Sequence, residues 1–242
     1  MLRPRVINGW SDFKNHYPYV VSLEAEHSAL AEGNLGFRIC SGSLITNEWV
    51  LTAAHCNHES LGVARYGNLI IPRNETKEMV RVLKTITHPS YAASMSGLIN
   101  VDNDIALALV EKIPINILGR IHTADYKTFV GRSCYYAGFG MTSTSSDNDE
   151  NKPLQVGKGA VRPAGEEAKM SNPGLVVVPE CGDTKTYSYS GDSGGPLIIG
   201  KRIVGVLSTG FLMPLNNPKL IHCCYTAVSP YIGWIKNYID AH

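Results

Sequence analysis

The chain has 242 residues, enough for one large domain or two small ones with a substantial core. Its 22 basic and 21 acidic residues nearly balance, which argues against a nucleic-acid-binding surface or a basic membrane-binding face. No apolar stretch is long enough to span a bilayer. The 23 glycines and 13 prolines, among many short β-branched runs, favour an all-β fold.

The first half of the chain is predicted to form short strands separated by polar turns. These strands fall at residues 19–23, 37–45, 49–54, 63–66, 78–86 and 105–110. Such a series suits a closed antiparallel barrel. Residues 111–119 contain Pro114 and are predicted to cross to a second half.

The second half is predicted to hold more strands and a terminal helix. Residues 134–140 begin this half, and the strands fall around residues 176–178, 198–207 and 225–228. Residues 141–152 are rich in Ser, Thr, Asp and Asn without a hydrophobic period, which indicates a surface loop. Apolar side chains recur with a helical period between residues 231 and 239, and a short helix is predicted at 166–169.

The segment Gly191-Asp192-Ser193-Gly194 is typical of a serine that is used chemically. Its glycines permit backbone angles that a Cβ would forbid, so the chain can turn sharply and aim several N–H groups at one point. A serine hydroxyl needs a histidine to take its proton, and that histidine needs a carboxylate to fix its tautomer. The segment therefore raises the question of whether the chain supplies both groups.

His55 and two aspartates are the candidates. His55 follows Thr52-Ala53-Ala54 at the end of an apolar run, and the small alanines leave room beside its ring. A lone histidine at a strand end is more often structural, but the serine segment reverses that expectation. Asp102 and Asp104 both precede an apolar strand, and composition alone leaves either as the buried carboxylate.

Three segments together resemble the trypsin/chymotrypsin family of serine proteases. They are Thr52-Ala53-Ala54-His55-Cys56, Asp104-Ile105-Ala106-Leu107 and Gly191-Asp192-Ser193-Gly194-Gly195-Pro196, in the family's order of His, Asp and Ser. Smaller matches extend the resemblance over nearly the whole chain. It implies a catalytic triad of His55, Asp104 and Ser193, because the family's acid immediately precedes the Ile-Ala-Leu strand. The backbone N–H groups of Gly191 and Ser193 would form the oxyanion hole.

The resemblance also implies the architecture, which is two packed six-stranded antiparallel β-barrels and a C-terminal helix. Residues 1–5 would be an activation-peptide remnant or a tail. Residues 6–117 would form the first barrel with the histidine and the aspartate. Residues 118–242 would form the second barrel, with the serine and the helix.

Arg5 and Val6 resemble the activation site of a protease zymogen. Cleavage after Arg5 would release an ammonium group at Val6, which in the family turns inward and pairs with the aspartate before the nucleophile, here Asp192. A buried carboxylate without a partner is costly, so this new pair can order the loop around Ser193. The simpler alternative is that Arg5 lies in a solvated tail and Asp192 caps a turn.

The substrate-binding residues depart further from the family. Ser208-Thr209-Gly210 matches the segment that pairs with an extended substrate, although an aromatic residue usually stands in place of Thr209. Tyr187 stands where tryptic enzymes carry an aspartate, and a neutral phenol offers no countercharge for Lys or Arg. Cys223 replaces a glycine of the pocket wall. These differences predict a restricted, non-tryptic preference.

The six cysteines do not have the spacing of a zinc site. The resemblance pairs Cys40 with Cys56 across the histidine loop. Cys181 is expected to pair with Cys223 or Cys224, and Cys134 is predicted to be a buried thiol. The loop that holds calcium in some family members has only two carboxylates here, Glu75 and Glu78, so neither a metal nor a cofactor is expected.

The sequence therefore predicts a secreted serine endopeptidase that is made as a zymogen and acts as a monomer. Asn74 begins an N-glycosylation sequence, which agrees with an extracellular location. The first five residues are too short and charged to be a signal peptide, so a secretion signal would lie outside this chain. Expected partners are a protein or peptide substrate, an activating protease and protein inhibitors, with no nucleic acid and no membrane. The alternative is a catalytically weak or inactive protease homologue that acts as a binding or inhibitory protein.

Overall fold

A computed structural model of the protein describes residues 9–26, 38–67, 69–93, 101–140, 151–162, 173–179, 191–212 and 221–241. The predicted short helix at 166–169 and most of the predicted surface loop at 141–152 lie outside these residues. In the first half of the chain the strands are β1 Trp10–Ser11, β2 Val20–Ala25, β3 Arg38–Leu44, β4 Trp49–Thr52, β5 Leu61–Arg65, β6 Met79–Thr87, β7 Ala92–Ala93, β8 Val101–Asp102 and β9 Ala106–Val110.

Six of these strands close into an antiparallel barrel in the order β2-β3-β4-β9-β6-β5. Apolar side chains that point inward fill it, and Leu23, Leu44, Leu51 and Leu107 are completely buried. Because successive side chains of a strand point to opposite faces, the alternation of the sequence places this set in one interior. Strands β7 and β8 form a separate small hairpin.

The strands of the second half are β10 Ser133–Gly138, β11 Gln155–Arg162, β12 Gly174–Pro179, β13 Pro196–Ile199, β14 Arg202–Leu212 and β15 Ile221–Ala227. They follow the order β11-β10-β13-β14-β15-β12, and pairing of β11 with β12 closes a second six-stranded barrel. Strand β1 pairs with the first two residues of β11, Gln155 and Val156. The predicted pair of antiparallel barrels is confirmed, whereas the boundaries at residues 5 and 117 stay predictions.

The two barrels share a buried seam. One apolar cluster contains Leu44 and Trp49 from the first barrel together with Phe139 and Val206 from the second. The predicted C-terminal helix is α1 Ile232–Asp240, which buries Ile235. Among the described residues no helix combines the length and the apolar character of a membrane span.

Candidate active site

His55 and Asp104 form a hydrogen-bonded pair beside the adjoining ends of β4 and β9. His55 lies in a single 3₁₀ turn, Ala54–Cys56, directly after β4, and Asp104 lies two residues before β9. The His55 backbone N–H donates to Asp104 Oδ1 at 2.9 Å, and His55 Nδ1 lies 2.7 Å from Asp104 Oδ2. An ionised carboxylate only accepts, so Nδ1 carries the proton and Nε2 is left as the basic nitrogen. Asp102, the other candidate acid, is only half-buried.

Ser208 supplies a third contact to the same carboxylate. Its Oγ donates to Asp104 Oδ2 at 2.6 Å. The register of β14 against β15 shifts between Leu207 and Thr209, so Ser208 is the extra residue of a β-bulge. A bulge redirects a side chain out of the regular strand pattern. The hydroxyl is aimed by this irregularity, which the sequence alone did not reveal.

The charge on Asp104 is stabilised by these contacts. The side chain is completely buried, and burial by itself raises the pKa of a carboxyl. The hydrogen bonds from His55, its positive charge when the ring is protonated, and the hydroxyl of Ser208 outweigh this effect, so the pKa of Asp104 lies below its ordinary value. Asp104 therefore stays ionised in the range in which a histidine base works.

The segment that carries Ser193 lies against the end of β4. Gly191 and Gly194 have φ angles of 88° and 79°, which a side chain would strain. A Cβ at Gly194 would fall 2.1 Å from Thr52 Oγ1, so the backbone there approaches the strand end more closely than any other residue type allows. Thr52 lies three residues before His55, so the serine loop packs against the strand that leads to the histidine.

The side chain of Asp192, the residue before Ser193, is buried in the protein interior. It is 3% exposed, and its Oδ1 accepts a hydrogen bond from the Gly140 N–H at 2.8 Å. A Cβ at Gly138 or at Gly140 would collide with the same carboxylate. Lys152, another buried side chain, donates from Nζ to the Gly140 carbonyl. Arg5 and Val6, the predicted activation residues, lie outside the described residues.

Comparison with known proteins decides the family. The model of the family described as Trypsin matches residues 6–235. The chain belongs to the trypsin family. It is 31% identical to a trypsin of Xenopus laevis over 98% of this chain and 92% of that protein. It is 28% identical to a trypsin of Sus scrofa over 98% of this chain and 97% of the relative.

A solved structure supports the same fold. Neuropsin, a serine protease expressed in the limbic system of mouse brain, superimposes with a TM-score of 0.73 at 22% identity, over 96% of this chain and 99% of that chain. The predicted family is confirmed, and the protein is a trypsin-family serine protease that acts on protein substrates.

In this member of the trypsin family, the predicted disulfide between Cys40 and Cys56 is confirmed. The S–S distance is 1.97 Å, and the bond closes a loop of 16 residues around His55. Cys134 is a fully buried thiol. The expected pairing of Cys181 with Cys223 or Cys224 is wrong, because both of the latter carry thiols; Cys181 itself lies outside the described residues.

The segment predicted to bind substrate lies on β14. Thr209 pairs with Cys224 and Gly210 with Cys223 on β15. Cys223 is 2% exposed and packs into the apolar core of the second barrel. Burial and the neighbouring Cys223 raise the pKa of Cys224 to about 12, so this thiol stays protonated at neutral pH. Tyr187, the predicted floor of the pocket, lies outside the described residues.

The loop compared with the family's calcium loop is filled by guanidinium groups. Arg65 is buried and donates to the carbonyl oxygens of Leu69 and Ile71, and Arg73 lies 3.4 Å from the buried carboxylate of Glu24. A hard cation requires oxygen ligands of this kind. Here the guanidinium group of Arg65 already binds both carbonyl oxygens. Elsewhere in the described part of the chain, the only metal-like grouping is His55 beside the sulfurs of Cys40 and Cys56, which are bonded to each other.

Proposed function

We propose that the protein is a secreted serine endopeptidase, made as a zymogen and activated by cleavage after Arg5, with His55, Asp104 and Ser193 as its catalytic triad. The observation that carries this proposal is the Asp104 carboxylate, fully buried and hydrogen-bonded to both the backbone and the ring of His55. A buried charge held in this way is costly to keep. In the alternative, a binding homologue, it would serve no purpose.

The chemistry follows from the tautomer that Asp104 selects. His55 Nε2 takes the proton of Ser193 Oγ as that oxygen attacks the peptide carbonyl, and the imidazolium then returns the proton to the leaving amine. Asp104 stays ionised throughout and stabilises the imidazolium. The backbone N–H groups of Gly191 and Ser193 bind the oxyanion, and loss of one such donor typically costs roughly 10²–10³ in rate.

Activation is proposed to act through Asp192. Its carboxylate is buried beside Gly138 and Gly140, and a new ammonium group at Val6 would pair with it there. Because Asp192 directly precedes Ser193, a change in its partner alters the loop that carries the nucleophile. The uncleaved chain is therefore expected to be nearly inactive.

The proposed specificity is narrow and not tryptic. Tyr187 offers no negative charge to a lysine or arginine side chain, and Cys223 adds a buried thiol to the strand beside Gly210. Both changes reduce the space and the charge available to a long basic residue. With Thr209 in place of an aromatic residue, this segment is expected to bind the substrate backbone less tightly.

The proposed location is extracellular, and the proposed form is a monomer that meets an activating protease and protein inhibitors. The Cys40–Cys56 disulfide is typical of an oxidising compartment. Asn74 is exposed, as an N-glycosylated residue must be.

Three preparations test the proposal: the intact chain, a chain cleaved to begin at Val6, and the cleaved chain with Ser193→Ala. Each is treated with a phosphonate probe that labels activated serines. We expect label only on the cleaved chain with Ser193 intact. Absence of label there would favour the binding homologue, whereas equal labelling of the intact chain would refute the activation step alone. Profiling on a peptide library then tests the preference, and strong selectivity for Arg or Lys would overturn the pocket assignment.

A further inference from the structure

Ser41 lies on β3, under the loop that carries the nucleophile. We infer that Ser41 is a positioning residue for the oxyanion hole. It is completely buried, and its Oγ donates to the Gly191 carbonyl at 2.9 Å while accepting from the Phe139 N–H at 3.0 Å. Its backbone N–H donates to the Ser193 carbonyl at 2.7 Å. One residue therefore holds the carbonyl groups on both sides of Asp192.

The bond to Gly191 fixes a peptide unit that would otherwise rotate easily. The N–H that is proposed to bind the oxyanion and the carbonyl that Ser41 holds belong to the same glycine, joined through its φ and ψ. Glycine changes both angles at little cost, and here φ is 88°. Anchoring the carbonyl limits where the N–H can point. Catalytic hydrogen-bond donors are effective only when they are oriented before the charge develops.

A hydroxyl is the group this position requires. It must accept from the buried Phe139 N–H and donate to the partly buried Gly191 carbonyl at the same time, which neither a methyl nor a carbonyl can do. The Ser41 backbone carbonyl is itself held by Thr52 Oγ1 at 2.9 Å, at the end of the strand that leads to His55. Phe139 and Gly191 belong to the second barrel and Ser41 to the first. The hydroxyl thus ties the oxyanion loop to the barrel that holds the base and the acid.

The consequence is specific to the chemical step. Ser41→Ala removes the anchor from Gly191 but leaves the triad residues and the substrate-pairing strand β14 unchanged. The N–H donor is loosened and not deleted, so the loss should be smaller than the loss of a whole donor. We expect kcat to fall roughly 10- to 100-fold with KM within about threefold of the parent.

The experiment uses the cleaved enzyme and compares Ser41→Ala with Ser43→Ala. Ser43 is a matched control, because it is also buried and lies two residues along the same strand, on the same face. For each variant we measure kcat and KM on a peptide ester, the inhibition constant of a peptide aldehyde that forms a tetrahedral adduct, and that of the corresponding peptide alcohol. Thermal unfolding checks the fold of each variant, and Ser41→Cys, similar in volume, makes the same comparison if the alanine variant does not fold.

The inference predicts that Ser41→Ala weakens the aldehyde at least tenfold and leaves the alcohol almost unchanged, while Ser43→Ala alters neither. Equal weakening of both inhibitors, or a kcat equal to that of Ser43→Ala, would overturn it. The inference rests on the proposed oxyanion hole. A parent enzyme that the phosphonate probe does not label would refute the proposed function itself, whereas a labelled parent with an unaffected Ser41→Ala would refute only the role of Ser41.

Discussion

Replacement of Ser208 with alanine tests how the buried acid is held. The hydroxyl donates to Asp104 Oδ2 at 2.6 Å, and both residues are shielded from water, at 7% and 0% exposure. Water therefore cannot easily take the place of the lost donor. Two hydrogen bonds from His55 remain, so the carboxylate should keep its position while its charge is less well stabilised.

The magnitude follows from the type of bond. A hydrogen bond to a charged group contributes about 1.5–3 kcal/mol to the free energy of unfolding. We expect Ser208→Ala to lose this amount at neutral pH. Part of this lost stabilisation of the Asp104 charge should also be lost by the imidazolium in the transition state. A loss of about 1.4 kcal/mol there corresponds to a tenfold fall in kcat. We therefore expect a kcat roughly tenfold below that of the parent.

The pH dependence gives the sharper result. The pKa of Asp104 lies below its ordinary value, so its ionised form stabilises the fold above the unfolded-state pKa, about 4, and that contribution is lost as the pH falls through the lower folded-state pKa. Removal of Ser208 moves the folded-state pKa back toward the ordinary value. The stability difference between parent and variant should be full above about pH 5 and should shrink below about pH 4.

The assay is urea unfolding of both proteins between about pH 3 and pH 7, together with kcat of the cleaved enzyme. Ser22→Ala is the matched control, because Ser22 is fully buried and donates to the carboxylate of Glu24 at 3.0 Å in the first barrel. That variant should lose stability without losing activity. A Ser208→Ala protein whose stability difference is below about 0.5 kcal/mol, or does not change with pH, would refute the stabilising role of Ser208 toward the Asp104 charge.

Three further predictions concern other parts of the site. Asp104→Asn should lower kcat roughly 10⁴-fold because the wrong tautomer of the histidine is favoured, whereas Asp102→Asn should stay close to the parent in the same steady-state assay. Joint replacement of Cys40 and Cys56 by alanine should lower the free energy of unfolding by about 3 kcal/mol, measured in denaturant, since the bond closes a 16-residue loop. Gly194→Ala should cost about 2–4 kcal/mol, seen as a lower melting temperature, because its φ is 79° and the new Cβ would fall 2.1 Å from a threonine oxygen.

Much of the fold could be predicted because several segments carry strong local patterns. The apolar residues before His55 and after Asp104 form the strands β4 and β9, which pair from Trp49 to Thr52. The helical period near the C-terminus corresponds to α1, which begins one residue later than predicted. Strand β11 was not predicted as a unit because it contains Gly157 and Gly159. Packing explains why glycine occupies position 157, because a Cβ there would fall 2.2 Å from the Tyr136 ring.

The parts of the site that sequence reasoning missed depend on contacts between distant residues. Ser208 was predicted only as a substrate-pairing residue, and its bond to Asp104 requires a bulge that no short motif encodes. Ser41 lies 150 positions from Gly191 along the chain. Lys152 lies in a polar stretch that resembles a surface loop, yet its side chain is buried against Gly140. Each is positioned by the closure of the barrels.

The most direct test of the proposed triad is a burst experiment with a nitrophenyl ester on the cleaved enzyme. An acyl-enzyme formed on Ser193 should release close to one nitrophenol per enzyme before steady turnover begins. His55→Ala and Ser193→Ala should show no burst. A burst of equal size in either variant would place the nucleophile or its base elsewhere in the molecule and contradict the assignment of Ser193 and His55 to these roles.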